Sequence, residues 1–237
     1  MKRLIKLIIL VAIFVVSVYV GYYIHAGYKL YKEAIEETPI TQMAENIKKS
    51  REHYTKYEEL PQNYIDAVVA VEDRRFFEHR GIDIISIGRA IVTNIRAKEL
   101  VEGGSTITQQ LAKNTYFSQR RELVRKIAET FTAHAYENEL TKEEIFELYV
   151  NTMYFGDGYY CIYDASHGYF DKEVKDMDLF ECTLLAGIPN APSVYSPTVN
   201  PELSRQRHEQ VLRKMVKFNY LTQDKADEVL KHYEENK

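Results

Sequence analysis

Residues Leu4 to Ile24 read LIKLIILVAIFVVSVYVGYYI, with Lys6 the sole charge, and this run constrains the chain more than any other feature. As a helix rising about 1.5 Å per residue it reaches about 31 Å, matching a hydrocarbon core roughly 30 Å thick. Lys6 lies within a turn of the start, where its ammonium can snorkel to the headgroups. Tyr19, Tyr22, Tyr23 and Tyr28 gather at the far end, where amphipathic rings favour the interface. A cleaved signal peptide is the competing reading, but no small-x-small cleavage site follows the run, which favours a retained anchor. Lys2, Arg3 and Lys6 precede or open the span, whereas Lys29 and Lys32 follow it among acidic residues that count little for topology. That asymmetry predicts a single-pass protein of the cell membrane, with residues 1–3 cytoplasmic, 4–24 spanning, and the remainder extracellular or periplasmic. No nucleotide triphosphate is available there, so an enzyme on that side needs a substrate carrying its own activation.

The whole chain is 45% hydrophobic and 28% charged, enough for a proper core under an ordinary soluble surface. A net charge of −4 gives no argument for a nucleic-acid partner, so any basic site must be local. Cys161 and Cys182 have no CxxC or CxxH spacing, which excludes a conventional zinc motif and favours buried free thiols over a disulfide. Residues 25–54 are polar and read as a helical membrane-proximal linker or stalk; residues 55–237 read as one domain. Within that domain Ile65, Val68, Val69 and Glu72 recur at helical spacing. Thr106 with Gln109, Thr141 with Glu144, and Asp178 with Glu181 have the spacing of reciprocal N-terminal caps. Residues 205–218 and 222–233 predict a closing helical hairpin, broken around Asn219 and Thr222. Alternating strand patterns are scarce, and the expected fold is mainly α.

Three segments carry candidate chemistry. Glu72 to Gly81, EDRRFFEHRG, is densely polar and follows the apolar run Ala67–Val71. A carboxylate at the end of a buried helix can be desolvated into a useful general base, although a solvated helix end is the commoner outcome of such a pattern. His79 by itself reads as a core or turn histidine. Next, Gly103-Gly104-Ser105-Thr106 opens a helix whose free N–H groups face outward, a place for an anion or simply a loop and cap. It is not a P-loop. Basic residues then concentrate at Lys113, Arg120, Arg121, Arg125 and Lys126. Arg121, Arg125 and Glu129 are spaced four apart and share a helix face, which fits a phosphate-binding row or an exposed stripe of ion pairs equally well.

These residues, in this order, closely resemble the peptidoglycan glycosyltransferase family (glycosyltransferase family 51), found in class A penicillin-binding proteins and monofunctional transglycosylases. The pattern EDxxFxxHxG is matched by Glu72, Asp73, Phe76, His79 and Gly81, and GGSTITQQLxKN runs unbroken from Gly103 to Asn114. RKxxE falls on Arg125, Lys126 and Glu129. A fourth motif resembles Glu144–Asn151 followed by Tyr154-Phe155-Gly156, and a fifth Arg205-Gln206-Arg207 with Val211, Leu212 and Met215. The resemblance covers about residues 55–220.

It implies a lysozyme-like helical domain with a smaller membrane-associated jaw lobe, preceded by the transmembrane helix. The implied reaction joins lipid II to a growing glycan strand, with Glu72 as the base and undecaprenyl pyrophosphate as the leaving group. Lys113, Arg121 and Arg125 would stabilise that departing pyrophosphate, Lys126 would bind substrate, and Glu129 would position the basic residues or a divalent cation such as Mg²⁺ or Mn²⁺. Asp73, Phe76, Ser105, Thr106, Gln109 and Gln110 would complete the substrate site. No transpeptidase domain fits after residue 220, so separate transpeptidases are the expected partners. Ala128 stands where many relatives have lysine, and Asp157 and Cys161 where histidine and glycine are usual. A lytic muramidase and a lipid II-binding scaffold are the competing functions.

Overall fold

The computed structural model describes residues 2–99, 103–117 and 122–235. Among these there are twelve α-helices and no strand, in agreement with a mainly α fold. They are α1 Lys2–Glu37, α2 Ile40–Ser50, α3 Gln62–Glu72, α4 Ile84–Ala97, α5 Ile107–Tyr116 and α6 Glu122–Glu139. Then follow α7 Lys142–Val150, α8 Ile162–Phe170, α9 Leu179–Gly187, α10 Pro192–Tyr195, α11 Pro201–Lys217 and α12 Gln223–Glu235. All three reciprocal caps form: Thr106 starts α5, Thr141 α7 and Asp178 α9. The hairpin of α11 and α12 also forms, turning through Asn219 in the left-handed region at φ 62°.

α3 is the central element. Its residues Tyr64, Ile65 and Ala67 to Val71 are buried on every side, the pattern of a helix enclosed by others. α9 and α11 pack along it and against each other. α5 lies against α6 and α7, and the side chains of Ile107, Leu111, Phe146 and Tyr149 join the α3 core. Cys161 and Cys182 are free and buried; burial pushes the Cys182 thiol up to about 12.

From residue 25 onward the chain packs on the helical body. α1 continues unbroken past the apolar run to Glu37 and packs along α6. It stops before Thr38-Pro39, because a residue preceding proline is driven out of the helical region. α2 then buries Ile40, Ala44 and Ile47 in the main core. Residues of the fourth motif hold this segment. Glu147 accepts the Tyr54 hydroxyl and the Tyr57 N–H at 2.8 and 2.9 Å. The Asn151 amide pairs with both backbone groups of Thr55, at 3.0 and 2.7 Å. Polar composition alone does not reveal this docking, because the partners lie about a hundred residues away.

Candidate active site

Glu72 is the last residue of α3. The helix ends there because Asp73 leaves the helical region at φ −151°, ψ 78°, and Lys214 of α11 donates its ammonium to the Val71 carbonyl at 2.9 Å. Cations on free C-terminal carbonyls stabilise a helix end. The Glu72 carboxylate is held from two sides: Gln110 Nε2 donates at 2.8 Å and Arg207 Nη2 lies at 3.3 Å. Its side chain is 9% exposed. It is thus a nearly buried carboxylate with a cationic partner, rather than an isolated acid among apolar groups. The guanidinium of Arg207 also donates to the Gly187 carbonyl and to Gln210, so one side chain ties α9, α11 and Glu72 together. Burial first, then the charge of Glu72, pushes the Tyr149 hydroxyl well above its ordinary range, with Arg207 opposing. Tyr149 therefore stays protonated beside the carboxylate.

Asp73 and Phe76 do not face an opening. Both oxygens of the buried Asp73 lie within 3.0 Å of His79 Nε2, and one also accepts the Ile107 N–H. The carboxylate thereby joins the first motif to the start of α5. Phe76 is fully buried, with the Lys142 ammonium 4.4 Å from its ring centre. Gly81 adopts φ +84°, and a Cβ there would meet the Ala133 backbone at 2.9 Å, so only glycine fits the approach to α6.

Thr106 and Gln109 are likewise internal. Thr106 caps α5 and donates to the Gly81 carbonyl at 2.7 Å, while Gln109 reaches Thr130 on α6. All four, expected at the substrate site, are buried in this structure: Phe76 packs in the core, and the polar atoms of Asp73, Thr106 and Gln109 find internal partners. Ser105, Gln110 and Lys113 remain on the accessible side. Gln110 and Lys113, three apart, share the face of α5 that meets Glu72.

The second group of charges is on α6. Glu129 is 1% exposed and pairs with Arg125 at 3.3 Å and Lys126 at 3.1 Å. Lys126 in turn donates to Ser105 Oγ at 2.7 Å. Arg125 and Glu129 are therefore no exposed stripe: the carboxylate is buried and neutralised, and the cations rim it. Arg121, expected in this row, lies outside the described residues, as do Arg120 and Glu102. Glu72 meets α5 at Gln110, and the Glu129 cluster meets Ser105 just before the helix begins, so the two carboxylates flank its opening turn. Among the described residues no three His, Cys, Asp or Glu side chains converge.

Arg207 and Lys214 are the site residues that sequence reasoning left without a role. A signal existed for the first: Arg207 falls in the buried stripe Ser204, His208, Val211, Met215 of α11, where an arginine needs a carboxylate or carbonyl partner. Ala128 is fully buried on α6, and Asp157 holds a left-handed turn, its carboxylate accepting Ser196 and Thr198 hydroxyls. Cys161 caps α8 through its sulfur.

A helical domain with one carboxylate at the end of its central helix, and a second ringed by cations across α5, defines the class. The sequence family described as transglycosylase matches residues 36–216, and the chain belongs to that family. It is 42% identical to penicillin-binding protein 1A of Neisseria flavescens over 187 residues, 78% of this chain and 23% of that protein. It is 45% identical to penicillin-binding protein 1F of Bacillus subtilis (strain 168) over 168 residues, 71% of this chain and 24% of that protein. The chain spans about a quarter of the length of these curated relatives. A crystal structure of penicillin-binding protein 1A from Haemophilus influenzae superposes with a TM-score of 0.46 at 23% identity, over 76% of this chain and 17% of that one.

Proposed function

We propose that the chain is a membrane-anchored peptidoglycan glycosyltransferase that polymerises lipid II with inversion, Glu72 acting as general base. The observation carrying this reading is the pairing of two environments: Glu72 on Gln110 and Arg207, and the Arg125–Lys126–Glu129 cluster on the other side of the α5 entrance. A carboxylate offers about four lone-pair sites, so Glu72 keeps capacity for a proton while both present partners remain. It takes the proton of the acceptor 4-hydroxyl, whose oxygen attacks the anomeric carbon of the donor. The bond from that carbon to the pyrophosphate oxygen breaks, and undecaprenyl pyrophosphate departs with the electron pair. Arg125 and Lys126, with Lys113 and Arg121, meet the charge that develops on the leaving oxygens, the situation in which fixed cations contribute most. Ser105 and Gln110 line the donor cleft, and Glu129 positions the cations. A hydrolase with no pyrophosphate to expel has no use for such a cluster, which counts against a muramidase.

In this reading residues 4–24 span the membrane with the N-terminus inside, and residues 55–237 form the catalytic domain with 25–54 docked on it. α4 exposes Ile84, Ile85, Ile91, Val92 and Ile95, a face suited to a second contact with lipid. Separate transpeptidases would cross-link the product. Purified full-length protein with lipid II in detergent is expected to make glycan strands, and Glu72→Gln to lower the rate about 100-fold or more. Unchanged strand synthesis by Glu72→Gln, or muropeptide release from sacculi in place of polymer, would overturn it.

A further inference from the structure

α6 has two working faces. At 3.6 residues per turn, Val124, Ile127 and Phe131 fall on one side, and Arg125, Lys126 and Glu129 roughly opposite. The first side docks on α1. A Cβ at the buried Gly27 would lie 2.5 Å from Ile127 Cγ2 and 3.1 Å from the Val124 carbonyl, so the two helices touch backbone to side chain. One turn further on, Tyr28 and Tyr31 pack their rings on Phe131 at 5.2 and 5.8 Å. Contacts advance together along both helices, so they run in the same direction. Tyr116 of α5 adds a hydrogen bond to the Thr38 carbonyl at 2.9 Å, just beyond the end of α1.

α1 is one uninterrupted helix of 36 residues, whose apolar stretch is exposed up to Ile24 and whose next turn is the docking turn. Three residues from Ile24 to Gly27 advance about 4.5 Å. Headgroups add about 5–8 Å to each side of the hydrocarbon core. The Arg125–Lys126 level of α6, alongside Gly27, therefore falls within the headgroup layer, where the phosphates of a lipid-linked substrate lie.

We propose that the anchor helix sets the height of the pyrophosphate-binding cations above the bilayer, with Gly27 as a positioning residue that lets α6 seat directly on the anchor. This rests on the reading of the chain as a membrane-anchored enzyme acting on a lipid-linked pyrophosphate. The anchor is then more than a tether, because a flexible tether would leave the site's height unspecified.

The test uses the full chain with a seven-residue polar helical insert between Ile24 and His25. Seven residues keep the helix face nearly in register and raise the domain about 10 Å. In lipid vesicles the KM for lipid II is expected to rise about tenfold or more with kcat little changed, since only substrate reach is lost. In detergent, where no bilayer fixes the height, both constants should match the parent. Gly27→Leu, whose side chain would overlap Ile127 and push α6 off the anchor, should lower strand synthesis in both media, and a rate equal to the parent in both would remove Gly27 as the positioning residue. For the insert, equal losses in both media, or no change in vesicles, would overturn the proposal. A measurement free of catalysis separates it from the functional reading. The chain has no tryptophan, so Leu123→Trp, an exposed site at the start of α6, provides a single reporter. Its quenching by lipids brominated near the headgroup should be strong in the parent and fall at least threefold with the insert. Equal quenching in both would overturn the height assignment whether or not either protein polymerises.

Discussion

Glu72 and Arg207 stand 135 residues apart in the chain and 3.3 Å apart in the fold. The local pattern around Glu72 could show a carboxylate at a helix end, but not which cation would meet it. Arg207 uses three edges of its guanidinium on three partners, Gly187, Gln210 and Glu72. Lysine offers a point charge on a flexible stem and cannot reproduce that fork. Arg207→Lys is therefore expected to lower kcat by about tenfold or more with a smaller effect on KM, measured in steady-state lipid II polymerisation. A rate within twofold of the parent would show that Glu72 is placed by α3 and Gln110 alone. The burial of Asp73, Thr106 and Gln109 was hidden for the same reason, because their partners Ile107, Gly81 and Thr130 lie 21 to 34 residues away.

At the scale of elements, what the sequence showed best were helix starts. Thr106, Thr141 and Asp178 each act within three residues of themselves, so the cap and the helix it opens are written locally. The docking of residues 25–57 was not legible, because Asn151 and Glu147 look like ordinary positions of an amphipathic helix until α7 is placed beside Thr55. Asn151→Ala would strip partners from the buried N–H and C=O of Thr55, at a cost of about 1–3 kcal/mol for each group left unsatisfied. Thermal unfolding in detergent should shift downward, and limited proteolysis should cut first in residues 51–57. An unchanged digestion pattern would mean that α2 and Glu147 hold the segment without the amide.

Over the whole molecule, the last helix is secured by a neutral histidine. His208 is buried between Thr183, at 2.6 Å from Nε2, and the Tyr233 hydroxyl of α12, at 2.8 Å from Nδ1. Burial, with His232 adding positive charge nearby, pulls its pKa down to about 3 from an ordinary 6.5. Between those values the unfolded chain binds a proton that the folded one refuses. The stability tied to His208 is thus complete above about pH 6.5 and falls as the pH drops toward 3, by at most about 1.4 kcal/mol per pH unit. Melting temperatures of the parent should decline between pH 7 and pH 5 more steeply than those of His208→Gln; parallel curves would remove His208 as the cause. The Asp73–Ile107 hydrogen bond has a consequence of another kind. It joins the two ends of a 34-residue stretch, and within it the Thr106–Gly81 hydrogen bond closes a shorter one that carries α4. Such a segment is a module: an engineer can alter its length and the exposed apolar face of α4 without re-threading the chain through α3 and α5 on either side.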